Sequence, residues 1–178
     1  LLEVYFDGQG YAQKDEIAQV RKYHKNPNMW DYFLRTRIAV DRLEDLLDEK
    51  EGNLDKVQML FADMEEREEA WKELEREGVF ELVGSLQYNI EINAVGVNKG
   101  TGLVNLGKML GIRREEIMAC GDGDNDIAML KEVGFGVAMA NAEEKVKAVA
   151  DYITERNNDE GAAKAIEKLV LKRGGESC

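Results

Sequence analysis

An α/β fold with a parallel sheet in its second half is predicted by three observations. Beyond Gly96, short apolar runs alternate regularly with helical patterns. Repeated βα units of that kind imply parallel strands joined by right-handed crossovers. Second, the stretch Gly121-Asp122-Gly123-Asp124-Asn125-Asp126 stands between a short, mostly apolar run (Glu116-Ile117-Met118-Ala119-Cys120) and Ile127-Ala128-Met129-Leu130, which is apolar at helical spacing. An acidic loop between a strand's carboxyl end and a helix start is where open α/β sheets place ligands. Third, strands and helices come in mixed order before the rhythm changes near Val95. Two domains are therefore expected, 1–94 and 95–178.

The elements follow in order. Leu2-Glu3-Val4-Tyr5-Phe6 alternates and is rich in β-formers, and Asp7-Gly8-Gln9-Gly10 reads as a turn. The spacing predicts a helix over 15–25, with Ile17, Val20 and either Tyr23 or His24 on one face. Asn26-Pro27-Asn28 breaks the chain, and Trp30, Tyr32 and Phe33 are packing residues or line a substrate mouth with Tyr88. A second helix is predicted over 38–49, burying Leu43, Leu46 and Leu47. Val57-Gln58-Met59-Leu60-Phe61-Ala62 is a strand. Asp63-Met64-Glu65-Glu66 then has a capping pattern that starts a helix ending at Gly78, with Ala70, Trp71 and Leu74 inward. Strands follow over 79–86 and 88–95. In the second half the helix over 101–110 puts Leu103, Leu106 and Leu110 in line and stops at Gly111. Gly134 closes the helix after the acidic loop. A strand over 135–140, a helix capped by Asn141-Ala142-Glu143-Glu144, a strand over 151–154 and a helix over 161–171 complete the order.

Composition bounds the function. Of 178 residues, 44% are hydrophobic and 34% charged, the balance of a globular protein. The net charge of −12 argues against nucleic acid and anionic membrane as partners, because phosphate backbones require a basic surface. An anionic substrate needs a local positive centre instead. Cys120 and Cys178 form no disulfide framework, so the cytoplasm is the expected compartment. His24, the only histidine, has no zinc partner and is expected to be structural. The first residue is Leu1 and no methionine precedes Met29, so a piece of a longer protein is expected.

Three carboxylates in five positions exceed what helix capping requires, although one Asp at a helix start would need no other explanation. Their mutual repulsion calls for a counter-ion, and hard carboxylate oxygens suit Mg²⁺. An EF-hand loop is excluded: Ile127 stands where its glycine belongs and Val133 where its bidentate Glu belongs. One βα unit earlier, Val97-Asn98-Lys99-Gly100-Thr101-Gly102 places Lys99 at a helix start, which favours anions already. Lysine and acidic loop together form a phosphate-plus-metal constellation.

These residues, with Gly136-Val137-Ala138-Met139-Ala140-Asn141-Ala142 downstream, resemble the Cof-type branch of the haloacid dehalogenase superfamily of phosphatases from about Val57 to Leu171. The resemblance implies a Rossmann-like parallel-sheet core, present here as its C-terminal half, with residues 1–94 as an α/β cap that supplies substrate selectivity. It implies Mg²⁺-dependent hydrolysis of a small phosphorylated metabolite through an aspartyl-phosphate. Asp122 would bind Mg²⁺, Asp126 would hold the metal's water shell, Asn125 would orient the site near the phosphate, and Lys99 would neutralise phosphate and nucleophile. Asp124 has no implied role and reads as a solvated loop residue. The family's nucleophile, in a strand ending Asp-x-Asp-Gly, is missing: the nearest match, Tyr5-Phe6-Asp7-Gly8, has tyrosine in its place. A covalent mechanism without a nucleophile does not run, so the chain alone is expected to be inactive. The alternatives are a non-catalytic phosphate- or metal-binding protein and a phosphomutase, against which the Gly121–Asp126 loop speaks. A half-core leaves a sheet edge and an apolar face uncovered, so self-association is expected.

Overall fold

The computed structural model describes residues 1–50, 52 and 54–171 of the chain. They divide into two compact units, Leu1–Val95 and a second beginning at Gly96. The first unit is built on a six-stranded sheet in the order β3-β2-β1-β4-β6-β5. Its strands are β1 (Leu2–Phe6), β2 (Gln9–Gln13), β3 (Arg37–Val40), β4 (Leu54–Leu60), β5 (Phe80–Val83) and β6 (Asn89–Ala94). All pairs are antiparallel except β2 with β3. The β1–β2 hairpin turns at Asp7 and Gly8, both with positive φ (52° and 74°), the geometry of a tight two-residue turn. Asp7-Gly8 is thus a hairpin turn, and Gly8 N–H donates to Asp55 Oδ2 at 2.9 Å.

Alternation along β1 divides its side chains between the two sheet faces. Val4 and Phe6 pack on Leu43 and Leu46 of α4 (Leu43–Glu49). On the other face Ala12 and Leu60 meet Val20 and Phe33, which belong to α2 (Val20–Tyr23) and α3 (Asn28–Thr36), after α1 (Lys14–Ala18). Glu3, fully buried, accepts from Arg37 Nε and from the Tyr5 hydroxyl, both at 2.6 Å. Tyr5 is therefore held in a buried ion-pair cluster. His24 is buried between Phe33 and Tyr88, its ring edge-on to both, with Nδ1 3.2 Å from the Tyr88 hydroxyl. The structural role expected of it is the one it has. Phe33 is wholly buried and Trp30 donates to the His24 carbonyl at 2.9 Å, so these two are packing residues, while Tyr32 is exposed.

Three expectations in this unit need correction. Residues 9–13 form β2 rather than a continuing turn, because Gly10 and Ala12 let it pair with both β1 and β3. The helix expected over 38–49 is β3 followed by α4: Ile38 and Val40 are β-branched and take up the parallel pairing with β2, and Leu47 is exposed. The helix expected over 15–25 is interrupted at Gln19. A loop is also expected at Gly52-Asn53, of which Asn53 lies outside the described residues. By contrast α5 (Met64–Glu77) starts as expected, with Asp63 Oδ1 accepting from the N–H groups of Glu65 and Glu66.

The second unit is a Rossmann-like parallel three-stranded sheet, β7 (Met118–Gly121), β8 (Phe135–Ala138) and β9 (Tyr152–Ile153), in that order. Around it lie α6 (Lys99–Leu110), α7 (Ile127–Glu132), α8 (Glu144–Lys147) and α9 (Gly161–Ala165), the last running into a wide turn, Ile166–Val170. Leu130, Ala142 and Val146 form its core with Ile127, Val149 and Ala150. Leu106 and Leu110 of α6, expected inside, are exposed together with Met109. The buried line runs through Gly100 and Gly107 instead. A Cβ on Gly100 would meet Ala128 O and Glu132 Cγ at 2.8 Å, so the glycine lets α6 close directly on α7. Gly134 is no left-handed cap either. It is small because Glu115 Cα would lie 2.5 Å from an added Cβ. No helix among the described residues is long and apolar enough to cross a membrane. Cys120 is a free thiol whose pKa burial pushes up, and Cys178 lies outside the described residues.

Candidate active site

Three loops leave the carboxyl ends of β7, β8 and β9 and meet, the crevice in which parallel sheets bind ligands. The backbone ties them together. Met139 N–H donates to Gly121 O at 3.0 Å, and Ala140 N–H to Glu155 O at 3.2 Å.

Asp126 is the anchor of the first loop. It ends a single turn, Asp124–Asp126, that precedes α7, and its side chain is buried. Oδ2 accepts the N–H groups of Asp122 (2.9 Å) and Gly123 (3.0 Å), and Oδ1 accepts Lys99 Nζ at 2.6 Å. Gly121 is required beneath it, since an added Cβ would come within 2.5 Å of Asp126 Cβ. Burial opposes ionisation of Asp126. The hydrogen bonds from Lys99 and the two amides, with the lysine's charge, outweigh it and hold the carboxyl below its ordinary pKa.

Lys99 is the first residue of α6, which Asn98 caps. Asn98 Oδ1 accepts from Gly100 N–H (2.9 Å) and Thr101 N–H (3.1 Å), while Thr101 Oγ1 accepts from Asn98 N–H at 3.1 Å. The helix-start amides of Gly100 and Thr101 are thereby taken, so the positive charge offered here is the Lys99 ammonium, whose side chain remains 49% exposed. The structure thus brings Lys99 and Asp126 into direct contact, with Asp122 exposed beside them. Asn125 lies over Gly123, its Oδ1 2.8 Å from where a Cβ would project.

Two residues at the edge of the site have no site role in the sequence reading. Asn141, expected to cap α8, does not: Glu143 occupies the N-cap without a side-chain bond. Asn141 Nδ2 donates to Asp122 Oδ2 at 2.9 Å, and its Oδ1 accepts from Asn157 N–H at 2.9 Å. Lys145 pairs with Asp124, which is therefore not simply solvated, and with Glu143. Asn141, in the loop after β8, belongs to the family-like stretch Gly136–Ala142. Only the three-dimensional meeting of loops shows what it touches.

Mg²⁺ takes an octahedral shell of oxygens, keeps several waters and needs only one or two protein carboxylates. Among the described residues no group of three His, Cys, Asp or Glu side chains is placed to hold a metal ion. Asp126 is committed on both oxygens. Asp122, exposed and bonded through Oδ2 to one neutral amide, keeps most of a carboxylate's acceptor capacity. The residues fit one direct carboxylate ligand, Asp122, to a hydrated cation.

A parallel α/β unit with a lysine and an acidic loop at its strand ends has the arrangement in which open α/β sheets place ligands. The chain belongs to the haloacid dehalogenase-like hydrolase family, whose sequence profile matches residues 4–166. That span begins well before Val57, where the sequence resemblance was read to start. The chain is 49% identical over 105 residues to 5-amino-6-(5-phospho-D-ribitylamino)uracil phosphatase YcsE of Bacillus subtilis, a match covering 59% of this chain and 42% of that protein. A haloacid dehalogenase-like hydrolase from B. subtilis superposes with a TM-score of 0.76 at 26% identity, over 95% of this chain and 65% of that one. The subclass IIB sugar phosphatase BT4131 superposes with a TM-score of 0.67 at 25% identity, over 94% and 60%. The chain therefore spans less than two thirds of the length of each.

Proposed function

We propose that the complete protein is a cytoplasmic, Mg²⁺-dependent phosphomonoester hydrolase that acts on a sugar phosphate or similar small metabolite through an aspartyl-phosphate. Residues 1–94 would serve as its cap and 95–178 as the C-terminal half of its core. The observation that carries this reading is the Lys99–Asp126 contact at 2.6 Å, which fixes a half-exposed cation beside the exposed Asp122 carboxylate. The names of the relatives, one a phosphatase of a phosphorylated ribityl compound and one a sugar phosphatase, support the substrate class.

In this reading each residue has a role that the geometry supports. Lys99 meets the negative charge of the phosphate, and Asp126 keeps the ammonium in place while its other oxygen holds the loop backbone. Asp122 would be the direct ligand for Mg²⁺, and Asn125 would supply a neutral amide donor near the phosphate. Bound Mg²⁺ would neutralise charge on phosphoryl oxygens. Preorganised positive charge of this kind is worth most where charge grows in the transition state.

The nucleophile is not supplied by Tyr5 or Asp7. The first is bound into the Glu3–Arg37 cluster and the second sits in a hairpin turn. The purified 178-residue chain is therefore expected not to turn over p-nitrophenyl phosphate with Mg²⁺. A longer form carrying an upstream Asp-x-Asp-Gly strand should do so and lose activity with Asp122→Asn. Turnover by the 178-residue chain itself, abolished by Asp122→Asn, would place a nucleophile within it. A longer form inactive on a panel of sugar phosphates would favour a non-catalytic binding protein.

A further inference from the structure

The three carboxylates of the acidic loop have three different partners. Asp126 is paired with Lys99 and Asp124 with Lys145, both cations. Asp122 is paired with Asn141, a neutral amide. Two of the three negative charges are therefore offset within the protein and one is not. We propose that Asn141 is a positioning residue: it orients the Asp122 carboxylate toward a divalent cation without neutralising it. The inference rests on the reading of Asp122 as the cation's ligand given above.

The orientation of the Asn141 amide is dictated rather than chosen. Its Oδ1 accepts from Asn157 N–H, and only an oxygen can do that, so the NH₂ end must face Asp122. The residue thus joins the loops after β7, β8 and β9 through one planar group. The backbone bonds Met139 N–H to Gly121 O and Ala140 N–H to Glu155 O hold the same loops at fixed spacing, so the amide cannot swing far. One neutral hydrogen bond to Oδ2 restrains rotation of the Asp122 carboxylate about Cβ–Cγ. A lysine at 141 would restrain it equally well but cancel its charge, as Lys99 and Lys145 do for their partners. Outer partners of metal ligands typically change metal affinity 10- to 100-fold when removed.

The test uses the 178-residue chain and Mn²⁺, an oxygen-preferring ion whose paramagnetism broadens nearby amide signals. Wild type should show broadening centred on Gly121 and Gly123, with saturation in a Mn²⁺ titration, and Asp122→Ala should remove it. Asn141→Ala should weaken binding by about 10-fold or more. Asn141→Lys, which keeps a donor but adds a charge, should abolish it. Asn141 is exposed, so neither change opens a cavity, and unchanged melting temperatures would show that the fold is intact. Binding that depends on Asp122 but is the same in wild type, Asn141→Ala and Asn141→Lys overturns the inference and leaves the site reading standing. Absence of broadening in wild type, or its persistence in Asp122→Ala, overturns both.

Discussion

Replacing Asp126 by Asn isolates what its charge does. The side chain is nearly isosteric, yet one oxygen becomes an NH₂ group. That group must face either Lys99 Nζ or the paired N–H groups of Asp122 and Gly123, which are donors in both directions. Hydrogen bonds to a charged group contribute about 1.5–3 kcal/mol each. The lysine is half exposed, so its share is at most about 1 kcal/mol after solvent screening. The two backbone amides carry the rest, and the expected loss is about 2–4 kcal/mol, felt first in the loop. Hydrogen exchange at the Asp122 and Gly123 amides reads it directly, in metal-free buffer, with urea unfolding as the global measure. The pH dependence has a definite sign. The folded pKa of Asp126 is depressed, so its stabilisation is complete above the unfolded value of about 3.9 and is lost as pH falls through the lower folded value. The wild-type advantage over Asp126→Asn should therefore hold from neutrality to about pH 4 and shrink below it. Equal amide protection in the two proteins at neutral pH would refute the anchoring role.

Three further outcomes are expected. In the complete enzyme Lys99→Ala should lower kcat/KM about 100- to 1,000-fold while costing no more than about 1 kcal/mol of stability, and unchanged kinetics would reduce Lys99 to a surface residue. The single imidazole, His24, should titrate below the ordinary value of about 6.5, because burial, with a smaller contribution from Arg37, outweighs the pull of Glu3. Stability should fall as pH drops from about 6.5 through that lower value, since the unfolded chain takes the proton first, and an NMR midpoint at or above 6.5 would contradict this. The exposed Leu106, Met109 and Leu110 on α6 should make the 178-residue chain self-associate, with Met109→Glu and Leu110→Lys reversing it, and a concentration-independent sedimentation coefficient in wild type would count against that face.

How much was legible in the sequence depended on whether the signal was local. The acidic loop, its flanking strand and helix, the Asp63 cap and the Lys99 helix start are written in adjacent residues, and each is found where its pattern placed it. β2 and β3 were missed because a strand beside Gly10 and Ala12 is defined by its neighbours rather than by its own composition. The inward face of α6 was misjudged for a related reason. Leucines normally mark the buried stripe, but close approach to α7 gives that side to Gly100 and Gly107, and helical periodicity does not distinguish a glycine contact from a leucine one. At the site, Asp122, Asn125, Asp126 and Lys99 were named from the motif. Asn141 and Lys145 act on it from the far side of β8, a distance of 19 and 21 positions that no spacing rule bridges.

Lys99 and the acidic loop are proposed above as the phosphate-and-cation half of a phosphatase site. A crystal structure of the complete protein with Mg²⁺ and a phosphate mimic such as tungstate tests that assignment most directly. The metal should be ligated by Asp122, the mimic should lie within hydrogen-bond distance of Lys99 Nζ, and the Lys99–Asp126 and Asn141–Asp122 contacts should be retained. A metal and mimic bound elsewhere, with Asp122 and Lys99 both facing solvent, would contradict it.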